Sequence, residues 1–214
     1  MTLAILGTGG HAKSIFDIVK NQKNIYFFDK NIKFFMINKK KFRVKSDHLL
    51  ISSYKSKISK VIVAIGDNKI RKKNYDLLKK NKFKLATLIH PKSHRGYGSK
   101  VDEGSVVMQG SLINTDTIIG KNCIINSHAS IDHDCIIKDH THICPGSIIA
   151  GNVQIGKNCW VGLGSKIIQN CIIGDNVFIA AGAVVTQNIK SNSFVKGIPA
   201  KYEKKKTGLI LIRS

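Results

Sequence analysis

From Val101 the chain is written in sixes. An aliphatic residue recurs at Val101, Val107, Ile113, Ile119, Ile125, Ile131, Ile137, Ile143, Ile149, Ile155, Val161, Ile167, Ile173, Ile179 and Val185, fifteen positions without a miss. Four residues after each of the first fourteen stands a small side chain, from Ser105 and Ser111 to Val177 and Ala183. A helix cannot use a period of six, and a plain strand alternates every two residues without turning. Short strands joined by tight corners can use it. Three hexads, about 18 residues, then close one triangular coil, with the aliphatic residue inside and the small one at the corner. The pattern predicts a left-handed parallel β-helix of about five coils between 101 and 188, whose stacked coils leave sheet edges only at the ends.

The first ninety residues follow another rhythm. LAILGTGGHAKSIFDIVK begins as an apolar run, passes Gly7, Gly9 and Gly10, and becomes helical through Ile15, Ile18 and Val19. IYFFDK (25–30) reads as a second strand and KVIVAIGDNKIRKKNYDLLKKN as strand, Gly-containing turn and basic helix. FKLATLIHP (83–91) reads as a fourth strand, while 39–59 shows little pattern beyond loop and short helix. Alternating β and α elements predict a small parallel sheet covered by helices, a Rossmann-like domain. The expected organisation is therefore a Rossmann-like domain over 1–90, a β-helix over 91–200 and a C-terminal tail over 201–214. The glycines lie where strand one meets helix one, where backbone N–H groups can face a pyrophosphate. GTGGHA lacks the third glycine of the full dinucleotide fingerprint at its usual spacing.

Composition changes this picture little. The 214 residues carry a net charge of +22, and residues 1–90 hold 21 Lys and Arg against 5 acidic residues, scattered among Asn and Ile. No RNP, zinc-finger or helix-turn-helix signature accompanies them, so a nucleic-acid role is not expected; a basic surface favours anionic ligands such as nucleotide phosphates and coenzyme A. No apolar window is long enough to span a bilayer and no secretory leader opens the chain, which predicts a cytoplasmic protein. Cys123, Cys135, Cys159 and Cys171 occupy the small corner position and Cys144 follows an aliphatic residue, without a CxxC, so they read as buried thiols.

SHASIDHDCIIKDHTHI (127–143) holds four histidines. His128 and His140 lie three after an aliphatic residue, His133 two after and His142 five after. Zinc needs three or four ligands converging at about 2.0–2.3 Å, and side chains at such unlike positions predict no metal site. His133 is chemically apt for a proton transfer at neutral pH, since the imidazole reference pKa is about 6.5.

GTGGHAK at the start, VAIGDN in the third strand, IDHDC within the hexads and VKGIPAK at their end together resemble the sialic acid O-acetyltransferase and sugar-acyltransferase family. Within it the chain is most similar to bacterial N-acetyltransferases that act on nucleotide-linked 4-amino-sugars. The resemblance implies a nucleotide-sugar-binding N-terminal domain and a β-helix that trimerises and binds acetyl-CoA between subunits. It implies His133 as general base with Asp134 orienting it, and His142 near the thioester. Gly151 and Asn152 would lie near the pantetheine arm, Gly164, Ala181 and Lys201 elsewhere along coenzyme A. Gly7, Gly9, Gly10, His11, Asp29, Lys30, Gly66, Asn68 and Arg71 would hold the nucleotide sugar, expected to be UDP-linked. The rival readings are O-acetylation of sialic acid or a related sugar, and a non-catalytic hexapeptide scaffold. The tail KYEKKKTGLILIRS ends in an apolar GLILIR with no assigned role.

Overall fold

A computed structural model describes residues 2–203, so the GLILIR segment lies outside the described residues. The N-terminal sheet has five strands in the order β3-β4-β2-β1-β5: β1 (Thr2–Leu6), β2 (Asn24–Asp29), β3 (Phe34–Ile37), β4 (Lys40–Ser46) and β5 (Lys60–Val63). All neighbours pair in parallel except β3 with β4. The central strands are continuous apolar runs because both faces are covered. Helix α1 (Gly10–Val19) packs Ala12, Ile15 and Val19 on one side with Leu3, Ile5 and Phe27. Helices α2 (Asp47–Ser52) and α3 (Asn68–Lys80) cover Leu6, Phe28 and Val63 on the other.

Two expectations are corrected. The stretch from 39 to 59 is not mainly loop: β3 and β4 form a hairpin turning at Asn38 and Lys39, both left-handed at φ 44 and 62. Such a two-residue turn usually announces itself with a glycine, and lysine in that place hides it. FKLATLIHP is not one strand of the N-terminal sheet. Leu85 makes a single bridge to Val61, and β6 (Leu88–Ile89) pairs with Val106–Val107 as the first rung of the next unit. That unit therefore begins two residues before position 90.

The C-terminal unit is the left-handed parallel β-helix. Two-residue strands stack at a register of 18 on three faces. The first face runs through Leu88, Val106, Ile124, His142, Trp160, Phe178 and Phe194; the second through His94, Leu112, Ser130, Ile148, Lys166 and Val184; the third through Lys100, Ile118, Ile136, Gln154 and Ile172. The periodic aliphatic residues from Val107 to Val185 and the small corner residues form one buried core. Their burial contributes roughly 1.5–3 kcal/mol per aliphatic side chain. Corner hydroxyls satisfy backbone carbonyls fifteen residues on, as from Ser105 to Gly120 at 2.7 Å and Thr141 to Gly156 at 2.8 Å. The third residue after each aliphatic from Val101 to Ile179 takes left-handed backbone, which is why Gly, Asn, Asp and His fill it. The final coil is two residues short, since Val195 pairs with Ile179 at a separation of 16. Strand Lys201–Glu203 then folds back antiparallel on Phe194–Lys196.

The two units share a seam along the first face. Leu88, Val106 and Met108 join the cluster around α1, and α3 is tied across by polar contacts described below.

Candidate active site

His133 lies on the corner between the second and third faces. Its side chain is 56 % exposed, and Nδ1 meets Asp134 Oδ2 at 2.8 Å. Asp134 reaches the ring although it is only one residue away, because it sits at the left-handed corner position with φ 58. Asp132 accepts the His133 backbone N–H at 2.8 Å and the Asn114 amide at 2.9 Å, which holds its carboxyl below the usual range. The hydrogen bond to Asp134 first, and the charge of Asp132 second, raise the His133 pKa above its ordinary value. With the Nδ1 proton directed at Asp134, Nε2 presents a lone pair, the arrangement of a general base. The ring stands over Gly151 of the next coil: a Cβ there would fall 2.7 Å from both Cε1 and Nε2. A side chain at 151 would therefore push the His133 ring out of this position. Asn152, left-handed at φ 56, bonds Asn170 at 2.9 Å in a ladder of corner amides.

A second polar cluster lies at the seam between the units. His142 projects outward from the first face but is buried; Nε2 meets the Asn126 amide at 3.1 Å and the ring is edge-on to Trp160 at 4.5 Å. Burial, then the nearby Arg71 and His11, push its pKa well below the ordinary value. His11, in the first turn of α1, is likewise pushed down to about 3 by burial and Arg71. His11 is half-buried as a residue, yet its Nε2 is sealed from solvent without a hydrogen-bond partner, while the second nitrogen of the buried His142 ring faces the Gly66 backbone. Buried polar atoms are seldom left unpaired, so the neutral His11 ring offers a free nitrogen at the end of the Gly-rich turn. Trp160 stacks on Phe178 with planes 3° apart and centroids 6.1 Å apart. These rings escaped the sequence reading; their signal is an aromatic one residue before the periodic aliphatic, eighteen after His142.

Two nucleotide-site residues are corrected. Arg71 is 1 % exposed, and all its donors are spent on protein: Nε on Asn122 O, Nη1 on Ile65 O and Gly66 O, Nη2 on Asn68 Oδ1 and His140 O. Asn68 accepts from Arg71 and donates to Cys159 O at 2.8 Å. Both side chains therefore bind the GDN turn to the β-helix. Gly66 lends its carbonyl to the same knot. Asp29 accepts from Thr8 N at 3.1 Å and Thr8 Oγ1 at 2.7 Å, bracing the turn that holds Gly7, left-handed at φ 105, with Gly9 and Gly10. Its Oδ1 takes Asn31 N at 3.0 Å and keeps capacity for a ribose hydroxyl. Lys30 and Lys201 are exposed.

The expected coenzyme A residues do not converge within one chain. Gly151 and Asn152 share the corner of His133, whereas Gly164 and Ala181 lie on the corner between the first and second faces. His142 belongs to the first face, across the prism from the His133 corner. His128 and His140 both occupy left-handed corner positions; His140 is buried, bonded to Asn122 at 2.8 Å and edge-on to Tyr75. All five cysteines are buried free thiols, with Cys123 and Cys144 pushed up to about 12 by burial. Among the described residues no group of three His, Cys, Asp or Glu side chains is placed to hold a metal, and no helix is long and apolar enough to cross a membrane.

Comparison with known proteins agrees with this anatomy. Residues 2–78 match the family model of the PglD N-terminal domain, and 98–206 that of the GMPPB C-terminal domain. A variant of perosamine N-acetyltransferase from Caulobacter crescentus, solved with CoA and GDP-perosamine, is 30 % identical over 95 % of this chain and 97 % of that one, with TM-score 0.87. The acetyltransferase domain of PglB from Neisseria gonorrhoeae, solved with acetyl coenzyme A, is 31 % identical over 94 % of this chain and 98 % of that one, with TM-score 0.88. WeeI from Acinetobacter baumannii shares the fold at 24 % identity, 95 % and 100 % coverage and TM-score 0.86. A search of curated protein sequences found no match.

Proposed function

The chain belongs to the hexapeptide-repeat sugar acetyltransferases, and on that premise we propose that it moves the acetyl group of acetyl-CoA to the C4 amine of a nucleotide-linked amino-deoxy-sugar. The observation that carries the reading is His133, exposed on a corner, with Nδ1 committed to Asp134 and Nε2 free. The sugar amine attacks the thioester carbonyl carbon and gives its proton to His133 Nε2. The resulting imidazolium is stabilised by Asp134 and Asp132. The C–S bond then breaks, the coenzyme A sulfur leaves and takes up a proton, and the amide remains on the sugar. Direct transfer needs no nucleophilic cysteine, in keeping with thiols that burial keeps protonated.

The Gly7–Gly10 turn, with Asp29 beneath it, fits a sugar diphosphate at the start of α1. The sequence reading favours UDP; the Caulobacter relative was solved with a GDP sugar. A homotrimer supports both halves of the site. Ile118 and Ile136 are exposed apolar neighbours on the third face, with Ile172 beyond Gln154, and Ile148 flanks the His133 corner on the second. Such stripes are commonly covered by copies of the same chain. His133 of one copy would then face His142 and the Gly-rich turn of another.

The test is thiol release from acetyl-CoA with UDP-, GDP- and dTDP-linked 4-amino-sugars and free sialic acid as acceptors. One amino-sugar nucleotide should support rapid release and gain one acetyl in mass. Release with sialic acid alone would replace this reading by O-acetylation. Turnover of His133→Ala within about tenfold of the parent would remove the base, since positioned bases contribute roughly 10²–10⁴.

A further inference from the structure

The N-terminal sheet runs out of cover at its far edge. On the inner side of the β3–β4 hairpin, Phe35 and Val44 enter the core beneath α1. On the opposite side α2 packs on β2 and β4. Phe34 and Met36 project there 50 % and 48 % exposed, with Ile32, 45 % exposed, just before the strand. Arg43 stands directly across from Phe34 and Lys41 across from Met36, and the Lys41 ammonium lies 3.9 Å from the centre of the Phe34 ring. Between positions 30 and 46 the sequence has seven Lys and Arg and no acidic residue.

We propose that this hairpin face docks the protein on an anionic lipid bilayer. The apolar row is too short to span anything, but it is long enough to enter the boundary between headgroups and acyl chains. The flanking cations have aliphatic stems and would keep their charges at the lipid phosphates. Each such charge near an anionic leaflet contributes about 1 kcal/mol, or roughly fivefold in partitioning. A polyanion such as DNA would reward the cations but leave Ile32 and Met36 in water, so the apolar row favours lipid. None of Ile32, Phe34, Met36, Lys41 and Arg43 belongs to the site proposed above, and the inference is independent of that reaction.

The experiment is co-sedimentation of the whole protein with vesicles of about 30 % phosphatidylglycerol in phosphatidylcholine, and with pure phosphatidylcholine, at ~0.1 M salt. The protein should partition at least tenfold more strongly onto the anionic vesicles, and the difference should shrink at ~0.5 M salt. Phe34→Ser with Met36→Ser, and separately Lys41→Gln with Arg43→Gln, should each weaken partitioning about tenfold or more while leaving the melting temperature within about 3 °C. Absence of sedimentation overturns the proposal. So does unchanged sedimentation of both variants, which would assign binding to the diffuse charge of the whole molecule. If the variants instead lose retention of a duplex DNA while vesicle binding stays, the surface belongs to nucleic acid. If they lower the mass in solution, it is a contact between copies.

Discussion

At the scale of the residue, the pair His133–Asp134 makes a signed claim about pH. The Asp134 carboxylate is the main cause that lifts the His133 pKa above 6.5, and only the neutral ring can accept the amine's proton. Activity should therefore climb with pH along an acid limb lying above 6.5. In Asp134→Asn the largest lifting cause is gone, so the limb moves to lower pH and the plateau falls. A profile of kcat/KM against pH with an unmoved limb would remove Asp134 from this role. Gly151→Ala makes a complementary test. Its backbone accepts alanine, but the new Cβ would meet the His133 ring at 2.7 Å, and the exposed ring is what yields. Turnover should drop about tenfold or more while the melting temperature changes little. The pair itself was legible in IDHDC. The 18-residue coil already placed Gly151 one coil from His133, but nothing in the sequence says that the His133 ring lies over it, so its role was visible only as a position near a cosubstrate.

At the scale of the element, Arg71 reads as a phosphate ligand in GDNKIR and proves to be the fastening of α3. Sequence cannot distinguish the two, since a turn rich in donors suits an anion or a neighbouring set of carbonyls equally. The carbonyls it serves belong to Asn122 and His140 of the prism as well as to Ile65 and Gly66 of its own turn. Arg71→Met would strand several of them without a donor, at about 1–3 kcal/mol for each that water cannot reach. Chemical denaturation should show a loss of about 3 kcal/mol or more, and a loss under ~1 kcal/mol would contradict the knot. The hexads, by contrast, were readable one by one, because each strand buries its own aliphatic residue and needs no distant partner to explain it. The β3–β4 hairpin was missed for the opposite reason: its turn lacks glycine and its inward residues find their partners under α1, far along the chain.

At the scale of the whole molecule, His133 and His142 stand on opposite sides of one prism. A single copy cannot bring them to one substrate, so the site proposed above requires two copies to share it. Co-expression of His133→Ala with His142→Ala should then yield mixed assemblies in which some sites hold both native histidines. Those mixtures should regain a measurable share of parental thiol release, above the sum of the two inactive proteins. No recovery, in assemblies shown to be mixed by mass, would refute the shared site. The division into two units was legible from the change of rhythm near position 90. Their docking was not, because the seam is made of side chains that serve each unit's own periodicity at the same time.

The left-handed corner position carries one last consequence. Every coil must place Gly, Asn, Asp or His there to turn at low cost, and Asp134 is one of these. The scaffold thus supplies half of a catalytic dyad as routine geometry, and chemistry is added by a single histidine in front of it. Asp116 holds the same backbone at φ 57 one coil earlier, behind Thr115. Thr115→His combined with His133→Gly, which supplies the room that Gly151 gives His133, should therefore install an imidazole whose titration, followed by proton NMR, falls above 6.5, and a midpoint at or below 6.5 would show that the dyad needs more than the corner. The prism is in that sense a ruler with identical sockets, on which an active site is a choice of rung.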